Sequence, residues 1–177
     1  MKRFNLMVVI FLILYYLQSY AVNNIQATHI KKRDEYYMQM AIQIAKHNPK
    51  APFGAVIVNN KTDEVLAEGL NANNINPTFH GEIVAINNCI KKYPHIDWSK
   101  VTLYTTAEPC PMCQYAVIWA GISRVVFATS IGYVKSHGWN QVDITASQIN
   151  SKAPFYKGTL TGGVLADKTD TLFNKLY

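Results

Sequence analysis

Apolar positions change period several times along the chain, and each change marks an element. Between Lys32 and His47 they recur at helical spacing (Tyr37, Ala41, Ile44, Ala45), which predicts a helix closed by Pro49 and Pro52. Phe53–Val58 is a short apolar run, Asn59–Asp63 a turn, and Val65–Leu70 a second run, so a β-hairpin follows. Asn71–Thr78, rich in asparagine, is a loop. His80–Lys92 returns to the helical period with Ile83, Ile86 and Ile90 on its stripe. Val101–Thr106 is predicted as a buried strand, Cys110–Ala120 as a helix ended by Gly121, and Arg124–Thr129 as another strand. Residues 130–157 form a long crossover with a short helix around Ile144–Ile149. Leu160–Leu165 and Asp167–Tyr177 give a last strand and helix. Strands alternating with helices imply an α/β sandwich around a largely buried sheet.

The first residues follow another pattern. Lys2 and Arg3 precede an uncharged apolar run, Leu6–Leu17, and Ser19-Tyr20-Ala21 offers small residues at the spacing of a signal-peptidase site. The run falls short of the ~20 residues a membrane span needs. This layout predicts a signal peptide over 1–21, a linker over 22–31, a single domain over 32–177, and an exported protein, periplasmic or secreted. With 177 residues, 49% of them hydrophobic, the chain suffices for one packed domain. The formal charge of +6 is scattered rather than gathered into a stripe. It permits an anionic partner such as nucleic acid without demanding one.

Three cysteines, Cys89, Cys110 and Cys113, are too few and too odd a set for a disulfide scaffold. Cys110 and Cys113 form a C-x-x-C behind Pro109, and His80-Gly81-Glu82 precedes them in the chain. Two thiolates and an imidazole give three protein ligands for one zinc per chain and leave its fourth tetrahedral position for water. Each ligand sits near a predicted helix start, where unpaired N–H groups and the helix dipole favour anions. Glu82 is the general acid/base candidate. Residues two apart on a regular helix point about 200° away from each other, so His80 and Glu82 share a site only if His80 lies at the helix mouth. Cys89, ~13 Å along the helix from His80, reads as a buried core thiol. H-x-E followed by P-C-x-x-C is the zinc nucleobase deaminase pattern.

At these residues the chain resembles the cytidine-deaminase-like superfamily, in its branch of guanine, guanosine and tRNA adenosine deaminases. The resemblance rests on Pro52–Val58, Ala67–Asn71, Asn76–Ile83, Leu103–Cys113 and Gly162–Asp167. It implies a three-layer α/β/α sandwich with a five-stranded mixed sheet, a homodimer, and zinc held by His80, Cys110 and Cys113 with Glu82 as proton shuttle. By the same resemblance Asn71 contacts the base, and Phe53 and Ala55 line the pocket. Trp139, in the crossover with Tyr133 and His137, is a candidate covering residue; a core aromatic under a long loop is the alternative. Three departures stand out: H-G-E replaces the usual H-A-E, Phe79 replaces a small residue, and Ser136–Asn140 supplies no acid where guanine deaminases carry one.

The resulting expectation is hydrolytic deamination of a purine base or nucleoside (guanine, guanosine or adenosine). The competing readings are an adenosine or cytidine deaminase acting on tRNA or other nucleic acid, a non-catalytic zinc-stabilised binding module, and a redox dithiol protein. The module leaves Glu82 without a task, and the dithiol leaves both His80 and Glu82 without one.

Overall fold

The computed structural model describes residues 6–174, with side chains described from residue 11 onward, and the counts below refer to these residues. The chain divides into two units, Met1–Arg33 and Asp34–Tyr177. Helix α1 (Leu6–Ala45) has residues in both. It is far longer than the Lys32–His47 helix expected, and residues 22–31 are helical rather than a connector. The reason is legible afterwards: no glycine or proline occurs between Leu6 and Ala45 to stop the backbone. In the first unit Phe11, Tyr15, Tyr16 and Ile25 are exposed. No helix among the described residues is long and apolar enough to cross a membrane. Lys2 and Arg3, on which the signal-peptide reading drew, lie outside the described residues, as do the last residues of the expected Asp167–Tyr177 helix.

In the second unit five strands form one mixed sheet in the order β2-β1-β3-β4-β5. They are β1 (Gly54–Asn59), β2 (Val65–Leu70), β3 (Val101–Ala107), β4 (Arg124–Thr129) and β5 (Thr159–Thr161). β1 pairs antiparallel with β2 and β3, while β3–β4 and β4–β5 are parallel. Side chains alternate between the faces, as a strand's period of two requires. Ala55, Ile57, Leu103 and Val125 face one core, with Ala85 and Cys89 of α2 (Gly81–Lys92) and Val117 of α3 (Pro111–Ala120). Val56, Val58, Tyr104 and Val126 face the other, against Tyr37, Met38, Ala41 and Ile42 of α1 and Leu172 of α6 (Ala166–Phe173). This is the expected three-layer sandwich. Arg124 fastens α1 to the sheet, donating to both carboxylate oxygens of buried Asp34 at 2.6 and 2.7 Å.

Three details of the pattern differ from expectation. The buried face of α2 is Glu82, Ala85 and Cys89, whereas Ile90 is exposed. Small residues won that face because α2 lies almost on β2. A Cβ at Gly69 would stand 2.0 Å from the Gly81 carbonyl oxygen and 2.4 Å from the Ala85 nitrogen. Gly81 is equally confined, with the Phe53 carbonyl oxygen 2.7 Å from where its Cβ would be. The H-G-E spelling therefore belongs to backbone packing and not to the pocket wall. The crossover contains two short helices, α4 (Ile131–Ser136) and α5 (Ala146–Asn150), where one was expected. The final strand stops at Thr161, before Gly162 and Gly163, the latter at φ +81°.

Candidate active site

β3 and β4 are parallel, and α3 is the crossover between them. The C-terminal end of such a strand is where an open α/β sheet offers its functional residues. Cys110 stands there as the N-cap of α3, in extended backbone (φ −63°, ψ 167°), with Pro111 opening the helix. His80 occupies the same position on α2 (φ −71°, ψ 159°). The helix-mouth condition set by the H-x-E spacing is met: His80 sits off the helix, so its side chain escapes the regular 100° progression and shares a site with Glu82.

The ligand atoms of His80, Cys110 and Cys113 lie within 4.8 Å of one another. Cys110 Sγ is 3.6 Å from Cys113 Sγ and 3.5 Å from His80 Nδ1. Tetrahedral zinc with Zn–S of about 2.3 Å and Zn–N of about 2.0 Å places two sulfurs about 3.8 Å apart, and sulfur and nitrogen about 3.5 Å apart. The trio fits zinc in donor type and in spacing. Both cysteines are free thiols, as is fully buried Cys89.

Electrostatics reinforce the assignment. Without a metal, Cys110 is held down to about 4, first by its hydrogen bond with Cys113 and then by that with His80. Cys113 is pushed well above its usual value by the same Cys110 partnership and by burial. Thiolate character at Cys110 suits a metal ligand, and binding a cation would displace the proton that a thiol carries. His80 is raised by its hydrogen bond with Cys110. Glu82 is raised by burial first and by the neighbouring Cys110 second. Its Oε1 accepts from the Thr105 hydroxyl at 3.2 Å, which holds the carboxyl against β3.

In front of the trio lies a cavity of about 820 Å³ that includes Phe53, Asn71, His80, Trp139, Asn140 and Gln141 in its lining. Three of the four expected substrate contacts are therefore gathered there. The fourth is not: Ala55 is fully buried in the sheet core and takes no part in the lining. Because β1 alternates, Ala55 points at α2 and not at the opening. Asn71 is buried; its Oδ1 accepts from the Asn73 N–H at 3.1 Å, which leaves its Nδ2 donors for a ligand. Trp139 is both packed and at the cavity. It lines the cavity, packs edge-on against Phe53 at 5.5 Å, and donates from Nε1 to the Phe173 carbonyl at 2.8 Å. Tyr133 and His137 do not line the cavity; they stack on each other at 3.9 Å.

Comparison with known proteins meets this geometry at the same residues. The family model described as the cytidine and deoxycytidylate deaminase zinc-binding region matches residues 31–129, from α1 to the end of β4, with the whole trio inside.

The chain belongs to that deaminase family.

Membership brings zinc dependence and the hydrolytic deaminase class with it. Among its relatives is the guanine deaminase of Bacillus subtilis (strain 168), 34% identical over 139 residues that cover 72% of this chain and 86% of that enzyme. The tRNA-specific adenosine deaminase of Buchnera aphidicola subsp. Baizongia pistaciae is 42% identical over 99 residues, 53% of this chain. That match spans 60% of the Buchnera enzyme's length. The solved guanine deaminase of Nitrosomonas europaea superposes with a TM-score of 0.68 at 26% identity, covering 78% of this chain and 81% of that one. These relatives correct the exported location expected from the first 21 residues. They are named for guanine and for tRNA adenosine, and none of them speaks for export.

Sequence reasoning missed several residues of the site. Thr105, the partner of Glu82, lies in a strand read only as buried. His47 and Lys50, at the cavity's rim, fall beyond the end of the first helix. Glu108 is buried one residue before Pro109, and its position beside the ligand motif was the available signal.

Proposed function

We propose that this deaminase hydrolyses the exocyclic amine of a purine base or nucleoside, releasing ammonia. One observation carries the reading: the His80–Cys110–Cys113 trio opens through His80 onto a cavity that also presents Phe53, Asn71 and Trp139. A cavity of about 820 Å³ lies within the range that small-molecule sites occupy. Phe53 offers an aromatic face to a flat heterocycle, and Asn71 offers donors to its edge. His80, Cys110 and Cys113 would hold the zinc, which would supply Lewis-acid activation of water. Glu82 takes one proton from the attacking water and delivers it to the ring nitrogen, then takes the second from the hydroxyl so formed and passes it to the departing amine. Water becomes the new carbonyl oxygen and the amine leaves as ammonia, so atoms balance. A carboxyl raised by burial suits a group that must hold a proton between two transfers.

A second reading has its own support. The described cavity lining contains no carboxylate, and His47 and Lys50 stand on its rim beside Asn48, Asn73 and Asn74. That rim suits the phosphates of a polynucleotide, so adenosine within tRNA is the alternative substrate. It also lacks the extra acid expected of guanine deaminases, with Asn140 and Gln141 on that wall. Ammonia release from guanine, guanosine, adenosine, cytidine and an adenosine-containing tRNA, compared as kcat/KM under one set of conditions, separates the readings. The expected outcome is a purine base or nucleoside first. Cytidine clearly ahead overturns the purine assignment, and turnover of tRNA alone favours the second reading.

A further inference from the structure

The ligand segment Cys110–Cys113 is bracketed by two buried polar side chains that both reach into the crossover. Before it, the Glu108 carboxylate accepts from the Ile131 N–H at 3.0 Å through Oε2 and from the Ala146 N–H at 2.9 Å through Oε1. These are the first residues of α4 and of α5. After it, Gln114, fully buried in α3, donates from Nε2 to Oδ1 of Asn150 at 2.7 Å, at the far end of α5. One carboxylate thus pins both ends of the stretch that carries Trp139, Asn140 and Gln141.

The path from Glu108 to the cavity is short and stiff. α4 ends in a Schellman turn: Gly138 at φ +80° donates to the Lys135 carbonyl at 3.1 Å, and Trp139 donates back to Val134 at 3.3 Å. A left-handed residue there turns the chain sharply and sends Trp139 against Phe53. Fixing the start of a helix this short therefore fixes where its last turn places the indole.

We infer that Glu108 is a positioning residue for substrate binding: it holds the Trp139–Gln141 wall of the cavity in register with the zinc-ligand loop. The carboxylate touches neither substrate nor metal and acts through the wall. Two charge-assisted bonds to backbone N–H groups need two acceptor oxygens. A glutamine supplies one oxygen and turns an NH2 toward the other N–H, so one helix start is released without loss of side-chain volume.

The test is Glu108→Gln in the zinc-loaded full chain. Because its kinetic arm rests on the proposed purine substrate, two further arms need no substrate. Zinc is expected to stay at one per chain. KM for the best purine should rise by about tenfold, the order a lost charge-assisted bond supplies, with kcat changed far less. In a Trp98→Phe/Trp119→Phe background, which leaves Trp139 as the sole indole, acrylamide quenching should increase, and amide exchange over 137–145 should quicken. Glu108→Asp, too short to span both N–H groups, should fall on the same side in each readout. Failure of the kinetic arm with faster exchange and stronger quenching would indict the substrate class and leave the wall assignment standing. A folded, zinc-loaded variant with unchanged quenching and exchange would overturn the inference. Loss of folding in both variants would make Glu108 a global brace and overturn it equally.

Discussion

Replacing Glu82 with alanine is expected to abolish turnover while leaving zinc content and fold intact. A general acid/base group contributes roughly 10²–10⁴-fold, and Glu82 is asked to move protons at two stages, so the loss should lie at or beyond the upper end of that range. The stability argument runs the other way. Burial raises the folded-state value of the carboxyl above its unfolded one. Such a group opposes folding once the pH passes its unfolded value, increasingly as pH rises. Its removal relieves that cost, against the loss of an acceptor for the Thr105 hydroxyl. The metal-free variant should therefore melt no lower than the metal-free parent, as expected of a residue kept for chemistry at the expense of stability. Metal analysis, calorimetry and ammonia release read the three quantities. Turnover within a few-fold of the parent would remove Glu82 from the mechanism.

Cys110→Ala should cost the protein its zinc. Two remaining ligands, His80 and Cys113, do not hold a tetrahedral ion that three place at matching distances. Activity should fall with the metal, below what ammonia assays detect. Cys89→Ala provides the contrast, since this thiol is fully buried among Ala85, Val101 and Leu103. Deleting it opens a small core void and lowers the melting temperature, yet one zinc per chain should remain. Zinc retained in Cys110→Ala, or lost with Cys89→Ala in folded protein, would reassign the metal centre.

The second unit was legible because its signals are local. β2 and β4 fall where alternating and branched residues put them, and Gly121, at φ +80°, ends α3 as its position promised. The metal trio was legible because zinc demands specific ligand types at short spacing. What stayed hidden depends on partners far away in sequence. The buried face of α2 was set by how closely it approaches β2 at Gly69, not by where its isoleucines stand. Ala55 was carried into the pocket by resemblance, and the strand's two-residue period turned it toward the core. The length of α1 was hidden by reading its apolar start as a separate signal, although nothing in its sequence breaks a helix. Glu108 was invisible because its partners are backbone N–H groups 23 and 38 residues away.

The central claim is that one zinc, held by His80, Cys110 and Cys113, makes this chain a deaminase. Its most direct test is to strip the metal, titrate zinc back, and follow ammonia release from the preferred purine. The account predicts negligible release from the metal-free protein and a linear rise that breaks at one zinc per chain. Full release from metal-free protein in the presence of chelator would contradict it, as would a break at any other stoichiometry.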